Sequence, residues 1–495
     1  MRKMIKNNRT LGSIHISEIE FDLNCRHEII PILIALQCIY GKPKLLKEIL
    51  KLIEEDILKV SEKNQLKKKN AKRGAPGLDY WEILVLASVR HGCNLDYDAL
   101  HDLANNHRKL RQMMNLGEMD IKQYSRSSLQ ENIAKISDKT IEQISQLIIE
   151  EGHKISPKAI EKVRGDSFVV QTNIHYPTDA NLILDGIRKM LTLVNNLATI
   201  LSIVGWRKHN YLWVRARKTN RKIQRIASSK KKNRLEKLQE LYLEYIKFAI
   251  EIIERCKATI TTSNKMKKDA LIDSLIIKPL IKELKNYIEL TEKVCDLAYR
   301  RVICDETIPH NEKIFSLFEP HTELINRGKV PYPIEFGHRV LIIQDRAGFI
   351  LKYQIMDHVT DDKVLVPAMK ELQERYYDKI QSASFDRGFY TPANRTELEK
   401  ILTLSCLPKK GNHSQEDKER EGSPEFLNAR KRHPGIESCI HALGAGNGLV
   451  LCRDKKEKGY RRYVALGVLG RNLQVLGTIL LKKAKKKQKQ KLKAA

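Results

Sequence analysis

Residues 338–355 read HRVLIIQDRAGFILKYQI. Two apolar runs flank Asp345-Arg346-Ala347-Gly348, a polar turn with glycine late in it. That pattern predicts two strands joined as a hairpin, with Asp345 exposed in the turn. Toward the C-terminus, VPAMKELQERYYDKI (366–380) predicts a helix, and SASFDRGF (382–389) a short strand ending at Asp386. PANRTELEKIL (392–402) then predicts a helix and TLSCLP (403–408) a strand. Residues 409–430 are polar and predict an open loop, and HPGIESCIHAL (433–443) starts a helix near Pro434. Toward the N-terminus, DSFVVQTNI (166–174) alternates apolar and polar residues and predicts a strand beginning at Asp166. The order strand, strand, strand, helix, strand, helix, strand, helix describes an α+β fold, a mixed sheet with helices packed on it.

One long interruption separates the first strand from the hairpin. Residues 191–319 are helical and basic and are too long for a loop, so they predict an inserted helical domain. It begins with WRKHNYLWVRARKTNRKIQRI, where Trp206 and Trp213 lie among Arg207, Lys208, Arg215 and Arg217. Rings between cations suit stacking on an unpaired base with phosphate contacts beside it, although a tryptophan on a helix face is more often core. The mixed-sheet core is then expected over 161–190 and 320–480. Upstream, residues 1–62 form a helical region, 63–77 a basic linker, and 78–160 a second helical region. In that second region WEILVLASVRHG reads as an amphipathic helix, and the short helices that follow suggest a helix-turn-helix-like DNA-binding module. The tail from Lys482, KKAKKKQKQKLKAA, predicts a disordered basic arm over 481–495.

The chain has 495 residues, with 90 Lys and Arg against 60 Asp and Glu, a formal charge of +30. Such a charge calls for a polyanionic partner, and nucleic acid is the commonest. A membrane surface is the rival, but neither a basic amphipathic helix nor a lipid anchor is apparent. The longest apolar run, Ile29–Tyr40, is too short to span a bilayer and reads as a buried helix. The N-terminus MRKMIKNNRT lacks the apolar core of a signal peptide. Nine cysteines without a C-x-x-C pair fit reduced buried thiols in a cytoplasmic protein, not a disulfide framework or zinc ribbon.

Three carboxylates stand at informative places: Asp166 at the first strand, Asp386 after a later one, and Glu437 in the first turns of a late helix. In a mixed sheet of this order the first and fourth strands are neighbours, and the late helix can lay Glu437 over them. Clustered carboxylates repel one another unless divalent cations sit between them, and oxygen-only ligands select Mg²⁺ or Mn²⁺. The bland alternatives are a helix cap for Asp386, a surface strand residue for Asp166 and a solvated first-turn residue for Glu437. His175 and Asp179 read as a structured turn, and Glu335 and His338 as structural or supporting residues.

At these residues the chain resembles bacterial insertion-sequence transposases of the DDE superfamily, most closely the ISNCY-type group. The segments that carry the resemblance are RGDSFVVQTNIHYPTDANLILDGIRKM (164–190), YPIEFGHRVLI (332–342), FDRGFYTPAN (385–394), RKRHPGIESCIHALG (430–444) and GYRRYVALGVLGRNLQVLG (459–477). The resemblance implies an RNase H-like catalytic core that binds two Mg²⁺ ions, replaceable by Mn²⁺, through Asp166, Asp386 and Glu437. It implies cleavage and strand transfer at the ends of an insertion sequence. The implied partners are double-stranded DNA, terminal inverted repeats and target DNA, with a homodimer assembled on them at the bacterial nucleoid. Some relatives carry a Tyr and an Arg before the Glu and a Lys after it. Here His433 lies four residues before Glu437 and Gly444 seven after, with Arg430 and Arg432 nearby. Arg387, Arg430, Arg432 and His433 are therefore the candidates for DNA contact beside the site.

Overall fold

The computed structural model describes residues 3–5, 13–65, 77–266, 269–326, 328 and 333–494. The basic linker expected over 63–77 falls largely outside them. The chain divides into two units, Met1–Asn173 with Ile325–Ala495, and Ile174–Leu324.

Among the described residues a mixed sheet has seven strands: β1 (Lys162–Thr172), β2 (Glu323–Asn326), β3 (Ile334–Asp345), β4 (Ile350–Met356), β5 (Ser382–Ser384), β6 (Leu404–Cys406) and β7 (Leu451–Cys452); all lie in the first unit except the start of β2. The fold is thus α+β, as expected. β3 runs antiparallel to β1 and β4 antiparallel to β3, while β5 and β7 run parallel to β1 and β6 parallel to β5. β5 pairs with β1 over Lys162–Arg164 and β7 over Gln171–Thr172. Asp166 is the fifth residue of β1, not its first, and is paired with Ile342.

Alternation along the strands separates two apolar layers. Val163, Leu341 and Ile343 point into a large core, and Phe168, Val170, Val340 and Ile342 into a smaller one with Ile436, Cys439 and Tyr460. The N-terminal helices contribute to the large core instead of forming a detached module. Ile32, Leu36, Trp81, Leu84 and Ile148 belong to it together with Leu466 and Leu473. Helix Tyr80–Gly92 is buried on every side, which corrects the amphipathic reading. Its charged residues find partners: Asp79 and Glu82 form a capping box, Tyr124 donates to Glu82 at 2.8 Å, and Arg90 pairs with Asp454 at 2.7 Å, while Ser88 Oγ and Arg90 Nε are left buried without a hydrogen-bond partner.

Several expectations are revised. Residues 409–430 contain two helices, Gln415–Gly422 and Pro424–Arg432, started by Ser414 and Ser423, whose hydroxyls accept from the first-turn amides. Asp345 is fully buried at the hairpin, because it accepts from the amides of Gly348 and Phe349 and from His153 Nε2 at 2.8 Å. Gly348 holds φ +100°, which the tight turn requires. The basic tail continues helix Lys456–Ala494, since Lys, Gln and Ala are good helix formers and no Gly or Pro interrupts them. By length and composition that helix could cross a membrane, contrary to the sequence reading; 67% of its apolar window is buried within the fold.

The second unit begins at Ile174, so residues 174–190 belong to it and not to the sheet. It is built on helices Asp179–Ile200, His209–Ala227, Arg234–Lys265 and Lys278–Val302, which share one apolar core. Gly186 allows two of them to approach closely: a Cβ there would lie 2.2 Å from Thr291 Oγ1. His175 bonds Asp185 at 2.6 Å, and Asp179 pairs with Arg301 at 2.8 Å, so both are structural.

Candidate active site

The parallel pairing of β1 with β5 builds the first half of the site. Arg164 is the register partner of Ser384. Asp166 and Asp386 follow them by two residues each, just beyond the end of the paired segment. β5 has ended by then, and Asp386 begins a short 3₁₀ turn, Arg387–Phe389, with no hydrogen bond from its carboxylate to the turn. The helix-cap alternative for Asp386 therefore fails, and its oxygens face solvent with Arg430 Nη1 at 3.5 Å.

Helix Gly435–His441 builds the other half. Ile436 and Cys439 enter the small core against Phe168 and Ile342, which leaves Glu437 exposed. The helix start can settle on β1 because residue 435 is glycine. A Cβ there would lie 1.9 Å from Arg164 Nη1. Arg164 in turn donates to the Arg432 carbonyl at 3.0 Å and to Gln344 Oε1 at 3.1 Å.

The electrostatics of Asp166 report which groups converge. Its carboxyl is pushed up to about 6, first by burial. The Ser167 amide, 2.7 Å from Oδ1, opposes this, while the negative charges of Asp386, Asp361 and Glu437 add to it. The three carboxylates singled out in the sequence thus share one electrostatic neighbourhood, with Asp361 as a fourth. Their oxygens do not form a cage within 4.8 Å of one another among the described residues.

Asp361 was not foreseen. It opens helix Asp361–Arg375, earlier than the periodicity from Val366 indicates. Asn394 Nδ2 fixes that helix start to the Asp386 turn by donating to the carbonyls of Asp362 at 2.6 Å and Phe389 at 2.9 Å. Asp361 Oδ1 is buried without a hydrogen-bond partner, although Arg339 lies 3.5 Å from the other oxygen. Unspent carboxylate oxygens at Asp361 and Asp386 fit a divalent cation. A sequence signal existed in Thr360-Asp361-Asp362, a common helix start.

The expected DNA-contacting residues divide. Arg387 and Arg432 are exposed and Arg430 half-buried. His433 is buried, its Nδ1 lying 3.2 Å from Ser384 Oγ, and burial lowers its pKa. It is thus a positioning residue between β5 and the late helix, not a surface phosphate contact. In the second unit, Trp206 is 4% exposed and donates from Nε1 to Thr259 Oγ1 at 2.9 Å, so it cannot stack on a base. Trp213 is half-buried against the same core, while Arg207 and Arg215 are exposed, the latter over the Phe248 ring at 4.2 Å.

Comparison with protein-family models, curated proteins and solved structures gave no match to this chain.

Proposed function

We propose that this chain is a DDE-type DNA transposase with an RNase H-like catalytic core, acting through Asp166, Asp386 and Glu437. The observation that carries the reading is the shared field at Asp166: residues separated by long stretches of sequence act on one half-buried carboxyl. Sheet order supports it, because β1, β5 and β6 run parallel beside an antiparallel β3–β4 hairpin. The charge of +30 supports a polyanionic substrate.

Asp166, Asp386 and Glu437, with Asp361 beside them, would hold the Mg²⁺ ions. When bound, the ions would supply Lewis acidity toward a phosphodiester and make water or a DNA 3′-hydroxyl a competent nucleophile. Asp166 must be ionised to serve as a ligand, and a cation would draw its raised pKa down. Arg430 holds Asp386 from the outer side. His433 and Ser384 keep the end of β5 in place under the helix that carries Glu437.

The test uses a supercoiled plasmid carrying the DNA that flanks the reading frame. Incubation with purified protein and Mg²⁺ is expected to give nicked and joined products, both absent with EDTA. Nicked or linear products alone would instead favour a nuclease on the same residues. Equal products from Asp386→Asn would overturn the assignment.

A further inference from the structure

We propose that the cavity beside Arg164 is a phosphate-binding subsite for the DNA strand that enters the active site. The inference rests on the reading above that the substrate is DNA, and names a second contact on it. The cavity encloses about 330 Å³ and lies against the same strand pair as Asp166 and Asp386. Ser384 lines it, together with four cations: Lys162, Arg164, Arg346 and Arg432.

None of these cations forms an ion pair with a carboxylate among the described residues. Arg164 is the informative one. It is half-buried, and its side-chain acceptors are both neutral, the Arg432 carbonyl and Gln344 Oε1. Two carboxylates also line the cavity. Asp345 is spent on His153 and on the amides of Gly348 and Phe349, and Glu425 is exposed at the rim. A half-buried guanidinium without an anion leaves its desolvation uncompensated. A phosphate oxygen satisfies it, and the planar fork suits bidentate contact.

Position ties the cavity to the active site. Arg164 and Asp166 share a face of β1, two residues or about 6.6 Å apart along the strand. A phosphate at Arg164 therefore lies beside one at Asp166 on the same nucleic-acid strand. The bonds to Gln344 Oε1 and the Arg432 carbonyl fix the direction of the guanidinium, and glycine at 435 leaves it room, since a Cβ there would lie 1.9 Å from Nη1.

The test measures binding of the full-length protein to fluorescent duplex DNA from the flanking sequence, over a KCl series without divalent cation. Arg164→Gln is expected to lower the slope of log K against log salt by about 1, the value of one lost phosphate contact. Arg164→Lys should recover part of that slope. Arg346→Gln, at an exposed turn, should lower the slope without affecting folding, and decides the matter if Arg164→Gln fails to fold. A merely structural Arg164 would shift the melting temperature and leave the slope alone. Wild-type slopes in folded Arg164→Gln and Arg346→Gln would overturn the subsite. Asp386→Asn, measured for cleavage on the same DNA, reports on the catalytic reading separately. Should that variant keep its activity while the arginine variants lose slope, the subsite stands without the chemistry.

Discussion

Asp166 on β1 and Asp386 after β5 each stand two residues beyond the register partners Arg164 and Ser384, and Asp386 adds its negative charge to the field at Asp166. Parallel strands lie about 4.8 Å apart, so the two backbones are adjacent where the ladder ends, two residues before each acid. Ladder pairing across β1 breaks off there, because β5 covers only Lys162–Arg164 and β7 resumes at Gln171. Acidic groups thus stand where β1 lacks a partner between β5 and β7, and each of the following outcomes depends on that placement.

Asp386→Asn should abolish cleavage with little effect on folding. The side chain is exposed and caps nothing, so the stability change should stay within about 0.5 kcal/mol. Activity should fall by more than about 100-fold, since even partners that only orient a metal ligand are worth roughly 10–100-fold. Parallel thermal melts and plasmid-cleavage rates check both parts.

Asp166→Asn should stabilise the metal-free protein at neutral pH. The folded-state pKa, about 6, is above the ordinary 3.8, so the fold prefers the protonated acid. Stability therefore drops as pH rises from about 4 to 6, and the cost is complete above that window. Replacement should recover at most ~3 kcal/mol at pH 7–8 and nothing below pH ~4. Urea unfolding at pH 4 and pH 8 measures the difference; equal gains at both values would contradict it.

Gly165→Ala should damage catalysis more than DNA affinity. A Cβ there would lie 2.4 Å from the Phe385 ring and 3.1 Å from the Ile342 carbonyl. Phe385 precedes Asp386, so relief of that overlap displaces the acid. The expected result is a lower cleavage rate with DNA binding unchanged, at a stability cost of about 1–3 kcal/mol.

Trp206→Ala should act on folding of the second unit and not on base recognition. The ring is buried and its N–H bonded, so truncation should cost about 3–5 kcal/mol. Trp206→Phe should cost less and leave DNA affinity at the wild-type value, as fluorescence anisotropy would show. A large loss of affinity in a folded Trp206→Phe protein would restore the stacking role.

Much of the sheet was legible because its strands are apolar and bounded by turns. The hairpin, the strand before Asp386 and the helix at Pro392 all follow from local pattern. β7 escaped because two residues carry no periodicity, and β2 because only one of its four residues is buried. The buried Asp345 escaped because one of its partners, His153, is distant in sequence. Ser414 and Ser423 did signal the two helices in 409–430, but the polar composition between them masked it. Of the candidate site, Asp166, Asp386 and Glu437 were singled out from their relation to strands and a helix. Asp361 and Arg164 were not, since both gain meaning only from register and from what packs over them. Trp206 misled because cations flank it in sequence while its ring turns into the core.

The most direct measurement is a Mn²⁺ titration of the protein followed by electron paramagnetic resonance, comparing wild type with Asp166→Asn, Asp386→Asn and Glu437→Gln. Wild type should bind Mn²⁺ saturably, and each substitution should weaken the same binding event by roughly tenfold or more. Binding that survives unchanged in all three variants would show that these carboxylates do not hold a common cation.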